Sequence, residues 1–250
     1  MALDKRVALV TGGSRGLGRG IVIALANAGF NVAFTYNKDI DAAKLVLKET
    51  RYVNGRVSAF QMDVGSRSSI RTAVESVVRE YQGINILVNN AGVAQEKPFE
   101  TITDDDWENM LNINLQGPFC LIQEVIPSMV ASKWGRIINI SSIGGQWGGF
   151  NQVHYAAAKA GLINLTQSIA KIYSRHGITS NAIAPGLIST DMADAELNSE
   201  AGREKVKGIP MNRIGTVEDV GSSVVFLSGD ESSYITGQTI NLNGGMFFST

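Results

Sequence analysis

Short apolar runs alternate with helix-length segments from one end of this chain to the other, and glycines punctuate the joins. Val7-Ala8-Leu9-Val10 is the first run; a glycine turn from Thr11 to Gly18 follows, then a helical pattern over Arg19 to Ala28 that Gly29 stops. Asn31 to Thr35 reads as a second strand, Ile40 to Val53 as a helix ended by Gly55, and Arg56 to Met62 as a third strand. Ser66 caps a helix reaching Tyr81, and Ile84 to Val88 is a short apolar strand. Asp104-Asp105-Asp106 opens a long helical region ending near Ala131, with carboxylates where the helix dipole favours them. The pattern closes with a strand at Arg136 to Ile140, a Gly-rich loop, a helix from about Tyr155 to Arg175, a strand at Thr179 to Ala184, a Thr216-capped helix to Leu227 and a strand at Thr239 to Leu242. Continuously apolar strands are buried on both faces. Their strict alternation with helices predicts an α/β fold, a doubly wound parallel sheet with right-handed crossovers. Nothing reads as a linker or a repeat, so one domain over residues 1–250 is expected, with the weakly patterned stretch 187–212 forming a flexible flap over the substrate.

Composition excludes several functions. A formal net charge of −1 without a basic block argues against nucleic acid and anionic membrane surfaces. Cys120 is the single cysteine, which rules out an internal disulfide and a cysteine metal cluster, and its apolar helical neighbours mark it as a buried small hydrophobe. His154 and His176 share no metal-ligand spacing, so no metal is expected. The N-terminus runs directly from charged residues into a strand, and no apolar run approaches a membrane span, which makes a cytoplasmic location the expectation.

Two stretches carry chemistry. A strand, a glycine turn and a helix in succession present bare backbone N–H groups to a phosphate, here with the spacing Gly-x3-Gly-x-Gly from Gly12 to Gly18. At the end of the second strand, where an acidic residue would bond the ribose 2′-hydroxyl of NAD, stand Tyr36-Asn37-Lys38, with Arg15 in the nearby turn. A missing carboxylate beside two cations suits the 2′-phosphate of NADP. Second, Tyr155 and Lys159 lie four apart and so share one helix face. A lysine ammonium there is expected to draw the tyrosine pKa downward, fitting the phenol to exchange a proton with a carbonyl or alcohol oxygen, with Ser142 hydrogen-bonding the same oxygen. Asn114, inside an apolar stretch, needs a hydrogen-bond partner, and Asn89-Asn90-Ala91-Gly92 ends a strand where open α/β sheets bind ligands.

Taken together, TGGSRGLG at 11–18, NNAG at 89–92, Asn114, Ser142, Tyr155-x3-Lys159 and Pro185-Gly186 resemble the short-chain dehydrogenase/reductase family over essentially the whole chain. The resemblance implies a Rossmann-type sheet of seven parallel strands and a nicotinamide cofactor along its C-terminal edge. It implies that Ser142 and Tyr155 hold the carbonyl oxygen, that Tyr155 supplies the proton, that Lys159 binds the nicotinamide ribose, and that Asn114 anchors a water. For the cofactor it implies contacts from Gly12, Ser14, Arg15, Leu17 and Gly18 in the first turn, and from Asn37, Asp63 and Val64 on the adenine side. Asn89, Ala91, Gly92, Pro185, Gly186, Ile188 and Thr190 complete the set, with Ser14-Arg15-Gly16 looking like the NADP-using branch. Several stretches, among them YAAAKAGLINLTQSIA and ITGQTINLNGGM, are similar to 3-oxoacyl-acyl-carrier-protein reductases, while Gln146 to Gln152 resembles acetoacetyl-CoA reductases. Either similarity implies reduction of a 3-oxo thioester, although residues 93–99 depart from the pattern of both groups. Gln146, Trp147, Phe150, Gln152 and His154 are expected to line the substrate pocket, which would equally suit a sugar, a polyol or a cyclic ketone. A non-catalytic dinucleotide-binding relative would have no reason to keep all four of Asn114, Ser142, Tyr155 and Lys159. Family membership further implies a homotetramer.

Overall fold

The computed structural model describes residues 6–189, 204 and 206–248. Seven strands form one wholly parallel sheet: β1 (Val7–Val10), β2 (Asn31–Tyr36), β3 (Val57–Gln61), β4 (Ile86–Asn89), β5 (Gly135–Ile140), β6 (Ile178–Pro185) and β7 (Thr239–Leu242), in the spatial order β3-β2-β1-β4-β5-β6-β7. The order reverses between β1 and β4, and parallel pairing points all seven C-terminal ends to one edge, where such sheets bind ligands.

Consecutive strand residues feed opposite cores, which is why the runs are apolar without alternation. Ala8 and Val10 pack with α1 (Gly16–Asn27), α2 (Ile40–Glu49) and the last of the described helices, α8 (Val217–Ser228). Leu9 faces the other layer, with α3 (Arg67–Tyr81) and α5 (Gly117–Ser132). Cys120 lies in this second core, 3% exposed. Between these helices, α4 (Asp104–Leu111) runs into a π-helical turn at Asn112–Gln116 before α5.

Most expected boundaries shift by one to three residues, and some changes go further. The helix from Ile40 ends at Glu49 instead of Val53, with Thr50 turning the chain by bonding back to Val46 O at 2.8 Å. The loop after β5 contains a short helix, α6 (Gly144–Trp147), and the next helix, α7 (Val153–Tyr173), begins before Tyr155. Gly145 permits this arrangement: a Cβ on it would sit 2.8 Å from the Lys159 carbonyl carbon, so α6 can lie on α7 only with glycine there. Most of the flap expected at 187–212, and Thr190 with it, falls outside the described residues. No helix among those described is long and apolar enough to cross a membrane.

Candidate active site

Four strand ends build the cleft. After β1 the chain turns through Gly12, whose φ of +65° is costly for any residue with a Cβ. Gly18, at the start of α1, lies so close that a Cβ would meet Gly12 O at 2.1 Å. The turn is tied to the end of β4: Asn90 Nδ2 donates to Thr11 O at 2.9 Å, and Thr11 Oγ1 accepts from the N–H groups of Asn90 and Ala91 at 3.0 and 2.9 Å. The first turn of α1 has no side-chain cap, so its N–H groups remain available to an anion. Ser14, Arg15 and Leu17 sit on this turn, and neither Arg15 nor Lys38, both exposed, is paired with a described residue. These features fit a dinucleotide pyrophosphate.

Asn37, Asp63 and Val64 stand at the ends of β2 and β3 on the same edge. Asp63 Oδ1 already accepts from Gly65 N at 2.9 Å, and Asn37 O accepts from Gln61 Nε2 at 2.9 Å. The Asn89 side chain turns into the sheet, 2% exposed, donating to Asn139 Oδ1 at 2.8 Å. Pro185 and Gly186 end β6; Pro185 O accepts from Ile143 N at 3.1 Å, and Ile188 bridges to Gly215.

Ser142, Tyr155, Lys159 and Asn114 come together from β5, α7 and the π turn. The Ser142 hydroxyl lies beside the Tyr155 phenol and accepts from Gly144 N at 3.1 Å. Ser141, its neighbour, is buried and donates to Lys159 O at 3.0 Å, a packing contact. Lys159 is 4% exposed; its Nζ donates to Ile140 O at 2.9 Å and lies 5.6 Å from the Tyr155 ring centroid. Burial lowers its pKa from 10.5 to about 8. The expected lowering of the tyrosine is not found. Burial pushes the Tyr155 phenol upward, and the Ser142 hydrogen bond offsets only part of that. Lys159 spends its ammonium on a backbone carbonyl, and the desolvation that weakens it also disfavours a phenolate.

The π turn aims the fully buried Asn114 at the same place. Its Nδ2 donates to Val93 O and Met110 O at 3.0 and 3.1 Å, while Oδ1 is buried without a partner. A Cβ on Gly92 would meet Asn114 Oδ1 at 2.6 Å and Lys159 Nζ at 3.6 Å, so the glycine leaves room between an orphan acceptor and a buried ammonium.

The substrate side is mixed. Gln146 Oε1 is buried and unpartnered, Trp147 is half exposed, Phe150 is 93% exposed, and Gln152 Nε2 donates to Glu96 Oε1 at 3.3 Å. His154 does not line the pocket as expected: it is fully buried, its Nε2 2.8 Å from Gln95 Oε1. Periodicity could have warned of this, since His154 precedes Tyr155 on a helix and so points to a different face. Sequence reasoning also missed Phe247, whose ring meets Trp147 edge-on at 5.9 Å. No local pattern marks Phe247, which reaches the site only because β7 lies beside β6.

Comparison with known proteins agrees with this geometry. Residues 12–247 match a family model described as enoyl-(acyl carrier protein) reductase. The chain is 42% identical over 246 residues to a 3-oxoacyl-acyl-carrier-protein reductase of Aquifex aeolicus, covering 98% of each chain. It is 39% identical over 240 residues to the same-named reductase of Staphylococcus epidermidis, covering 96% of this chain and 98% of the other. An acetoacetyl-CoA reductase of Shinella zoogloeoides is 42% identical over 243 residues, covering 97% of this chain and 99% of the other.

Proposed function

The chain belongs to the short-chain dehydrogenase/reductase family, and on that premise we propose that it uses NADPH to reduce a 3-oxoacyl thioester, held on acyl carrier protein or coenzyme A, to the 3-hydroxyacyl thioester. A nicotinamide dinucleotide is the family's cofactor. When bound, it supplies the hydride that adds to the substrate's C3. Gly12 and Gly18 let the turn close on itself and on the end of β4, which leaves the bare N–H groups at the start of α1 for the pyrophosphate. The preference for NADPH is supported by the unpaired Arg15 and Lys38 and by the lack of a carboxylate at the end of β2.

The proton is the protein's contribution. Tyr155, kept protonated at neutral pH by its burial, donates its phenolic proton to the carbonyl oxygen as that oxygen gains charge. Ser142 hydrogen-bonds the same oxygen and holds it against the phenol. Lys159, about one pH unit below its pKa at neutral pH, is mostly ammonium and stabilises the phenolate left behind. The orphan Asn114 Oδ1 beside Gly92 offers a water an acceptor on the path that returns a proton through Lys159. The observation that carries this reading is the buried Lys159 Nζ 5.6 Å from the Tyr155 ring centroid and beside the orphan Asn114 Oδ1 at Gly92, next to the glycine turn on one sheet edge.

The homotetramer belongs to the same reading. It is supported by half-exposed Trp107 on α4 and Phe119 on α5, by exposed Phe226, Tyr234 and Phe248, and by β7 standing at the end of the sheet among the described residues. A cytoplasmic location is supported by a lone, buried cysteine.

The test is NADPH oxidation with acetoacetyl-CoA, run beside sugars and cyclic ketones. Thioester turnover is expected, and Tyr155→Phe should remove it while NADPH affinity stays within about twofold, since only the proton donor is lost. Turnover of another carbonyl with none of the thioester would overturn the substrate while keeping the chemistry.

A further inference from the structure

Helix α7 carries Tyr155 in its first turn, yet that turn lacks the usual means of holding its end. Its N-cap, Gln152, makes no capping hydrogen bond, and Asn151 before it has a φ of +54°. An uncapped helix end frays, and a fraying first turn would blur the position of the phenol.

The segment after β4 ties this end down by another route. Lys97 N donates to Asn151 O at 2.7 Å, Gln152 Nε2 donates to Glu96 Oε1 at 3.3 Å, and His154 Nε2 lies 2.8 Å from Gln95 Oε1. Three consecutive residues, 95–97, thus bind three of the four residues that precede Tyr155. The innermost link is also the most firmly anchored. Gln95 Nε2 donates to Asp106 Oδ1 at 3.1 Å, and a carboxylate can only accept, so the Gln95 carbonyl must face the imidazole. That makes His154 Nε2–H the donor. Asp106 in turn receives Lys97 Nζ and the N–H and hydroxyl of Thr103, the capping box that starts α4. Lys97 first, then Thr103 and Gln95, hold its carboxyl well below the usual range, so it stays an acceptor across the working pH.

We propose that His154 and Gln95 are positioning residues: with Asp106 they form a hydrogen-bonded chain that anchors the uncapped first turn of α7 from the side and sets where Tyr155 presents its phenol. Neither touches the reacting atoms. Their effect runs through the first turn of α7, and its catalytic consequence rests on the proton-donor role of Tyr155 given above. His154 is suited to the task because it is fully buried, so its one bond to Gln95 meets no competition from water.

The experiment compares wild type with His154→Leu, Gln95→Leu and His154→Gln. Hydrogen exchange in the unliganded protein is read on the 151–157 segment, which contains the Ala156 N–H bonded to Gln152 O at 2.8 Å. Both leucine variants should exchange there at least about tenfold faster, with residues 162–170 unchanged. His154→Gln, whose amide can donate from nearly the same place, should restore the wild-type rate. In turnover the leucine variants should lose about tenfold in kcat with KM and NADPH affinity within about twofold, because displacement of a donor affects the transition state most. The double variant should be no worse than either single one. Unchanged exchange at 151–157, a glutamine variant as poor as leucine, or losses that add in the double variant would each overturn the proposal. Gln95→Leu changes a partly exposed residue and keeps the test open if His154→Leu fails to fold. If wild type reduces no carbonyl the functional reading fails, and the exchange data still decide the positioning chain.

Discussion

Single residues set the electrostatics of the cleft, and Lys159 illustrates how. Its folded pKa of about 8 lies below the 10.5 of an unfolded chain, so between these pH values the unfolded state binds more protons and this group adds stability as pH rises. Lys159→Met should therefore stabilise the protein near pH 7, on the order of 2 kcal/mol, while removing turnover. The gain should shrink as pH climbs from 8 to 10.5, as urea unfolding of both proteins at several pH values would show. Reductive turnover by wild type should fall as pH passes about 8, where the ammonium discharges. Arg15 is the second case. Being exposed and unpaired, it leaves the fold intact when removed. Arg15→Ala should weaken NADPH at least tenfold and NADH less than about twofold in fluorescence titrations; equal losses would sink the 2′-phosphate assignment.

Elements keep their ends where the sequence offers a mechanism for stopping them. Thr216 and Asp219 form a reciprocal capping box that starts α8, as Thr103 and Asp106 do for α4; the first start was readable from Thr216 itself, the second from the run of carboxylates at 104–106. Thr216→Ala should cost about 1 kcal/mol in urea unfolding, because it strips the hydroxyl from the Asp219 N–H, and α8 packs on α1 beneath the glycine turn. Elsewhere boundaries move, even where a glycine marks a stop. The helix expected to run to Val53 ends at Glu49, and α6 appears inside what composition presents as a glycine loop. In α6 the glycines serve contact rather than flexibility, since Gly145 lies on the backbone of α7.

At the scale of the whole molecule, one parallel sheet gathers the ends of β1, β4, β5 and β6 on one edge. Its opposite edge is closed by side chains distant in sequence. The Arg6 guanidinium lies 3.8 Å from the Trp134 ring centroid, the buried Arg136 lies 4.2 Å from it, and Asp230 accepts from Arg6 and from Trp134 Nε1. The proposed tetramer would cover exposed aromatics such as Trp107 on α4 and Phe119 on α5. Sedimentation velocity should show one species near four chain masses, and a species of one chain mass would overturn the tetramer.

The strands, the helices between them and the four catalytic candidates were legible because each depends on short-range regularity: apolar runs of strand length, capping residues such as Ser66 and Thr216, glycines at the turns, and a Tyr–Lys pair one helical turn apart. Their meeting at one edge follows from parallel pairing. The rest depended on contacts between distant segments. That Tyr155 is raised and not lowered reflects how much protein surrounds it and where Lys159 finds a carbonyl, neither of which is local. His154 turned from pocket wall to buried strut because residues 95–97 fold back on it, and Phe247 joined the site because β7 lies beside β6. Sequence determined which elements form and which chemistry they carry. Only tertiary structure decided what each side chain faces, because desolvation and hydrogen bonding depend on neighbours that chain order does not specify.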